Sequence, residues 1–152
     1  MSNSYDGDVN AYERGTGFLL ARLGSLTARS WTAFLAAHDL TQGQYAVLVT
    51  LGEHGPQGQR RLAGLVAVDA RNIVAVLDAL AGRGLVERRP DEADRRRRTV
   101  ALTERGKALV TVVADAAAEE QDGFLRALDQ AERAQLNLLL RRLYASHVDG
   151  PA

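Results

Sequence analysis

The stretch GLVERRPDEADRRRRTVALTERG, residues 84–106, decides how the rest of the sequence is interpreted. It holds two short strand-like runs, 85–89 and 98–102, on either side of the polar, turn-forming segment 90–94. Six arginines stand within the eleven residues 88–98. The stretch is therefore predicted to be a β-hairpin that carries a dense positive charge.

Helical patterns surround this hairpin. Upstream, the spacing of apolar residues and the breaks between them predict helices over 10–38, 45–53, 59–66 and 69–83, with 54–58 as a break. Thr41 and Gln44 have the spacing of a capping box before the second helix, and Asp69 is placed to cap the fourth, which Gly84 should stop. Two short helices followed at once by a basic hairpin indicate a winged helix-turn-helix.

Two further helices are expected downstream of the hairpin. Thr103 should cap a long helix ending near Asp122, and Asp129 with Glu132 should open the last one. The last helix carries an apolar stripe of Leu136, Leu139, Leu140 and Leu143. A small winged helix does not need the apolar faces of the first and last helices, so we assign them to dimerisation. The alternative is that they close the core of a monomeric bundle.

The predicted fold class is mainly α with a small β-hairpin wing. Residues 1–40 would form an N-terminal arm and the first dimerisation helix, and residues 41–105 the winged helix-turn-helix DNA-binding region. Residues 106–152 would form the C-terminal dimerisation helices, all within one continuous domain. A chain of 152 residues is long enough for one hydrophobic core.

The composition excludes several classes of function. The absence of cysteine removes disulfides, thiolate nucleophiles, thiol redox sensing and cysteine-ligated zinc. Three scattered histidines and no glycine-rich phosphate loop leave no recognisable catalytic constellation, so the protein is predicted not to be an enzyme and to need no cofactor or metal. The sequence has no apolar run of membrane-spanning length and no secretory signal, so no membrane partner and a cytoplasmic location are expected.

The charge is distributed unevenly along a chain whose formal net charge is zero. Residues 57–107 carry twelve basic and seven acidic side chains, and the rest of the chain carries an equal excess of acid. A basic middle between acidic ends is expected of a DNA-binding segment held in a helical scaffold.

The helix after Asp69 is the candidate recognition helix. At 100° per residue its core side holds Ile73, Leu77 and Leu80, and Arg71, Ala75 and Asp78 lie opposite, with Asn72 on the flank. Arg71 suits guanine O6 and N7, Asn72 suits adenine N6 and N7, and Ala75 would allow a close approach to the bases. The alternative is an ordinary surface helix with solvated polar residues.

The hairpin adds further candidate DNA-binding residues. These are Arg88, Arg95, Arg96, Arg97 and Arg98, together with Asp94. A narrow minor groove attracts arginine through its enhanced negative potential. Asp94 is expected to orient a neighbouring guanidinium through a bidentate contact. The alternative is a solvated run of charge.

The hairpin resembles the wing of the MarR (multiple antibiotic resistance regulator) family. The specific motif is Asp94-Arg95-Arg96, followed a few residues later by Leu102-Thr103-Glu104-x-Gly106. The stretch Leu40-Thr41-x-x-Gln44-Tyr45-x-Val47-Leu48 resembles the family's second helix. The chain departs from the family at Ala75, where an arginine or another polar residue is frequent, and near Val74, where a threonine or serine is frequent. Base readout would then depend more on Arg71 and Asn72.

The resemblance implies a homodimer whose interface is formed by the first, fifth and sixth helices. Each recognition helix would enter a major groove of double-stranded DNA and each wing the adjacent minor groove, at a pseudo-palindromic operator. Asp94 and Arg96 match the family's wing-tip pair of acid and arginine. The implied function is a sequence-specific transcriptional regulator, a repressor that a small, frequently aromatic or phenolic effector releases. The alternative is a helical ligand-binding or protein-interaction module without DNA binding.

Four residues are candidates for contact with such an effector: Trp31, Phe34, His38 and Tyr45. The resemblance places the family's ligand pocket between the dimerisation helices and the DNA-binding unit. The alternative is that the aromatic residues at helical spacing belong to the core.

Overall fold

The computed structural model describes residues 10–66 and 70–148. The helices are α1 (Thr16–Ala37), α2 (Gln42–His54), α3 (Gln59–Leu65), α4 (Ala70–Gly82), α5 (Glu104–Phe124) and α6 (Gln130–Val148). The strands are β1 (Gln57–Gly58), β2 (Val86–Pro90) and β3 (Arg98–Leu102), which form one antiparallel sheet in the order β1-β3-β2. This mainly helical fold with a small sheet confirms the predicted fold class. The chain divides into two compact units, Met1–Val110 and Thr111–Ala152.

Capping boxes begin two of the helices, as the sequence predicts. At α2, the amide of Gln44 donates to Oγ1 of Thr41 and the Gln44 side chain accepts from the Thr41 amide, both at 3.1 Å. The same reciprocal pair joins Asp129 and Glu132 at α6, with both bonds 2.9 Å long. Each box satisfies two amides that the first turn of a helix leaves unpaired. The predicted cap of α4, Asp69, lies outside the described residues.

Two segments differ from the sequence prediction. The first predicted helix is divided by Gly15 at φ −70° and ψ 143°, so that a 3₁₀ turn at Ala11–Arg14 precedes α1. The predicted break at 54–58 contains β1, which pairs with Val100 and Thr99 of β3. Two residues are too few to show the alternation that identifies a strand, and β1 is a strand because β3 supplies its hydrogen-bond partners.

The core of the first unit places α4 with one face inward. Helices α1 to α4 contribute fully buried side chains: Leu35, Leu48, Leu62, Ile73, Leu77 and Leu80. The last three are the predicted inward face of α4, which is therefore confirmed. Because that stripe is held in the core, the opposite face of α4 is left at the surface.

Helix α4 ends in the way its glycine predicts. Gly84 has φ +70°, a conformation that glycine adopts without the clash of a Cβ atom. The amide of Leu85 donates to the carbonyl of Leu80 at 3.0 Å, and the amide of Gly84 donates to that of Ala81 at 2.9 Å. This pair of bonds is a Schellman motif, and it leads the chain directly from α4 into β2.

None of the helices within the described ranges is long and apolar enough to cross a membrane.

Candidate nucleic-acid interface

The outward face of α4 carries the predicted base-reading positions. Asn72, Ala75 and Asp78 are all exposed, as their positions around the helix require. Arg71 lies in the first turn of α4, but its side chain falls outside the described part of the structure. The beginning of α4 thus presents an amide side chain, and the next turn presents a methyl group that leaves room for a close partner.

The wing strands β2 and β3 are paired from Val86 opposite Leu102 to Pro90 opposite Arg98. Along β2 the side chains alternate, so that Val86 and Arg88 share one face of the ribbon and Glu87 and Arg89 share the other. Val86 is buried, whereas the rest of β2 is exposed. The ribbon is therefore anchored at its base and projects toward its turn.

Two aspartates shape the turn between the wing strands. The Asp91 carboxylate accepts from the amide of Ala93 at 2.7 Å, and the Asp94 carboxylate accepts from the amide of Arg96 at 3.1 Å. The Asp91 amide donates to the carbonyl of Arg97 at 2.9 Å and closes the loop. Aspartates that bind amides two residues ahead stabilise turns by replacing a backbone acceptor.

The predicted bidentate contact of Asp94 with a guanidinium is wrong. Its Oδ1 is used by the backbone amide of Arg96, and its nearest cationic atom is Nε of Arg97, 3.9 Å from Oδ2. The backbone amide of Arg96 lies closer, at 3.1 Å, so it binds the carboxylate that the sequence assigned to an arginine side chain. Asp94 orders the main chain of the turn.

The arginines of the turn point into solvent. Arg95, Arg96, Arg97 and Arg98 are all exposed. Within the described residues no carboxylate lies within 4.0 Å of the guanidinium groups of Arg95, Arg96 or Arg98. The turn therefore concentrates positive charge on a backbone that is already ordered, an arrangement that suits contact with phosphates.

The base of the wing is held by Thr103 and Gly106. The Thr103 hydroxyl donates to the carbonyl of Gly84 at 2.6 Å and accepts from the amide of Gly106 at 3.0 Å. The amide of Thr103 donates to the carbonyl of Leu85 at 3.1 Å. Thr103 therefore both caps α5, as predicted, and ties the end of β3 to the residues that join α4 to β2.

An ion pair that the sequence did not predict joins the wing to α4. Nη2 of Arg88 donates to Oδ1 of Asp78 at 2.8 Å. The outward position of Asp78 was foreseen, but its partner was not. A carboxylate on the predicted DNA-binding face is a sequence signal for a nearby cation, because an unpaired negative charge there would repel phosphates.

Comparison with known proteins agrees with this geometry. A model of the MarR family matches residues 40–97. The chain is 36% identical over 108 residues to the HTH-type transcriptional repressor NicR of Pseudomonas putida, covering 71% of this chain and 68% of that protein. The chain belongs to the MarR family.

Solved structures support the same assignment. A probable transcriptional regulator from Pseudomonas aeruginosa matches with a TM-score of 0.70 and 36% identity, over 87% of this chain and 98% of that one. BpsR of Bordetella bronchiseptica, whose structure concerns regulation of its DNA binding by 6-hydroxynicotinic acid, matches with a TM-score of 0.70 and 27% identity over 90% and 97%. As a MarR protein the chain is a DNA-binding transcriptional regulator that acts as a dimer, and such regulators are not enzymes.

The four residues predicted for effector contact in this MarR protein lie together. The ring of Trp31 stacks on that of Phe34 at 5.3 Å and meets Tyr45 edge-on at the same distance. Phe34 in turn contacts the imidazole of His38 at 4.9 Å. All four are half-buried. They form a continuous aromatic cluster between α1 and the beginning of α2, which keeps part of each ring at the surface.

A separate cleft of about 530 Å³ lies in the first unit of the MarR chain. It is lined by the end of α2, the Glu87 and Arg89 face of the wing and the beginning of α5. None of the four aromatic residues lines it. The predicted effector residues are thus brought together, but at a different place from this cleft.

Proposed function

We propose that this MarR protein is a sequence-specific repressor that binds a pseudo-palindromic operator and is released by a small aromatic acid. The observation that carries the proposal is that two surfaces lie side by side in the same compact unit. One is the exposed, polar beginning of α4, and the other is an ordered wing turn with solvent-facing arginines. A major-groove reader beside a minor-groove reader is what such an operator requires.

Base readout is assigned to the beginning of α4. The residues at the beginning of a recognition helix approach the base edges first. Asn72 would pair with adenine N6 and N7, and Arg71 with guanine O6 and N7. The methyl group of Ala75 would let the helix lie deep in the groove. The absence of a long side chain at 75 leaves base discrimination to Arg71 and Asn72.

Affinity and register are assigned to the wing. Arg95, Arg96, Arg97 and Arg98 would contact phosphates and the floor of the minor groove. Asp94 contributes from behind the interface, because its carboxylate orders the turn that carries these arginines. Arg88 is already engaged by Asp78, so its role also lies behind the interface.

Dimerisation is assigned to the outer helices of the proposed regions 1–40 and 106–152, which flank a DNA-binding region at 41–105. Large apolar side chains on α1 are exposed: Phe18, Leu19, Leu20, Leu23 and Leu26. So are those on α6: Leu138, Leu139, Leu140, Leu143, Tyr144 and Val148. Contiguous apolar faces of this kind mark protein interfaces, which favours a dimer interface over the core of a monomeric bundle.

The effector is assigned to the aromatic cluster of Trp31, Phe34, His38 and Tyr45. Partly exposed aromatic rings can stack on a planar ligand, and His38 offers a polar contact to a carboxylate or hydroxyl group. The reported regulation of BpsR by 6-hydroxynicotinic acid makes a small aromatic acid the class to test first. The protein would act in the cytoplasm and without catalysis, because its function would be to bind the operator reversibly.

The salt dependence of DNA binding tests the proposal. Each phosphate contact contributes about −0.9 to the slope of log K against log salt, so a dimer with about ten contacts gives a slope near −9. Binding of the purified protein to a duplex of the genomic region beside its own gene is measured by fluorescence anisotropy at several salt concentrations. A flat response would contradict the regulator and favour a helical interaction module without DNA binding.

A further inference from the structure

Two of the contacts that join the recognition helix to the wing lie at separate points. The first is the Schellman motif at Gly84 and Leu85, where the chain passes from α4 into β2. A single joint of this kind fixes the ends of two elements but leaves the angle between them to other contacts. That angle matters here because the two elements are proposed to enter neighbouring grooves of one duplex.

The second point is the ion pair between Asp78 and Arg88. Asp78 stands four residues before the end of α4, about 6 Å along the helix axis. Arg88 stands three residues beyond Leu85, about 10 Å along the strand. The 2.8 Å contact between them connects α4 and β2 at a distance from the Schellman motif. Two elements that are joined both at their ends and at a second point are held at a defined angle.

The side-chain directions make this contact specific to the pair. Arg88 shares its face of β2 with the buried Val86, so it points toward α4. Arg89 has the opposite direction and lines the cleft on the other side of the wing. Its nearest carboxylate is that of Glu87 in the same strand, 3.8 Å away, so this pair connects no two elements.

We infer that Asp78 and Arg88 are positioning residues that set the angle between α4 and the wing, and through it the discrimination between operator and other DNA. The inference rests on the proposed function. Asp78 lies on the exposed face of α4, where an unpaired carboxylate would repel phosphates, and Arg88 neutralises it. The pair is partly solvent-exposed, with side-chain exposures of 62% and 32%, so it contributes little to folding stability.

The test compares three single variants on two duplexes. One duplex is the sequence that the wild-type full chain selects from a random pool, and the other is a scrambled version of it. Asp78→Asn and Arg88→Gln are each expected to lower the ratio of the two affinities by about tenfold. Arg89→Gln removes an equal charge from the same strand, and it should weaken both duplexes alike and leave the ratio within about twofold.

The sign of the Asp78→Asn effect separates positioning from simple electrostatics. If Asp78 acted only as a negative charge near DNA, its removal would strengthen binding to both duplexes, and that result would overturn the inference. An equal change in the affinity ratio for Arg88→Gln and Arg89→Gln would overturn the inference as well. Thermal unfolding of each variant should shift by less than about 4 °C, which ties the loss of discrimination to geometry.

A double variant tests whether the two residues act as a unit. Asp78→Asn with Arg88→Gln should lose no more discrimination than either single variant, because one contact is removed in all three. Losses that multiply would mean that each residue contacts DNA independently. Failure of the proposed function itself looks different: the wild-type chain would then enrich no sequence from the random pool.

Discussion

Gly106, in the first turn of α5, packs directly against the carbonyl group of Leu85 at the beginning of the wing. A Cβ atom at position 106 would overlap the Leu85 carbonyl oxygen and approach Cδ2 of Leu102 at 3.2 Å. The same carbonyl accepts from the amide of Thr103 at 3.1 Å, so it cannot move away without breaking that bond. The glycine of the Leu-Thr-Glu-x-Gly motif is thus required by the close approach of α5 to the wing base.

Gly106→Ala is expected to destabilise the protein strongly. The methyl group would have to displace backbone, so the free energy of unfolding should fall by about 3 kcal/mol or more. Gly64→Ala in α3 is the matched control, because nothing lies within 4 Å of a Cβ there. It should raise the free energy of unfolding by about 0.5–1 kcal/mol. Urea denaturation measures both, and equal effects would contradict the close approach.

Substitutions at the beginning of α4 should change which sequence is preferred. Arg71→Ala and Asn72→Ala are each expected to cost about 1–3 kcal/mol of binding and to relax the preference at one base position per half-site. Selection from a random duplex pool measures the preference at every position. A uniform loss across all sequences would assign the residue to a phosphate.

Asp94→Ala should weaken DNA binding although it removes a negative charge. The variant frees the amide of Arg96 and so loosens the turn that carries the wing arginines. Glu92→Gln removes the same charge from the same turn, where the described contacts give its carboxylate no bond to the backbone, and it should maintain or strengthen binding. Anisotropy titrations measure both variants. Stronger binding of Asp94→Ala would show that charge outweighs the order of the turn.

A charge in the apolar face of α6 should separate the dimer. Leu139 and Leu143 lie one turn apart and are 46% and 49% exposed. Leu139→Glu would bury a carboxylate in the interface, so sedimentation should detect monomers, and DNA binding should fall with them. Asn137→Glu adds the same charge about 200° around the helix and should leave the dimer intact. A monomeric Asn137→Glu with a dimeric Leu139→Glu would place the interface on the other face.

The aromatic cluster contains its own reporter, because Trp31 is the only tryptophan in the chain. Titration with 6-hydroxynicotinic acid should change the Trp31 fluorescence saturably, raise the melting temperature and weaken operator binding. Phe34→Ala removes the stacked partner and should abolish all three responses. Release of DNA without a change in fluorescence would place the effector elsewhere in the protein.

Local patterns in the sequence were sufficient to predict most of the fold. The capping boxes at Thr41 and Asp129 and the glycine stop at Gly84 are signals carried by a few neighbouring residues, and each appears where predicted. Strand β1 was missed because its identity depends on hydrogen bonds to β3, more than forty residues away. That separation leaves no periodic signal in so short a segment.

The contacts of the candidate interface were harder to predict than its residue types. The exposed positions on α4 follow from helical geometry, whereas the contact between Asp78 and Arg88 depends on the angle at which β2 leaves α4. The error at Asp94 has a related cause, since the shape of the turn decides whether an amide or a guanidinium reaches the carboxylate first. The sequence shows which charged residues are present, but the path of the backbone determines which of them form contacts.

The wing turn keeps its form through aspartate contacts to its own amides, and the side chains of Arg95, Arg96 and Arg98 make none of these contacts. The number and placement of arginines can therefore change by mutation without refolding the loop. Single substitutions at positions 95, 96 and 98 would therefore raise or lower the affinity for the operator. Operator strength becomes a property that selection can adjust separately from stability.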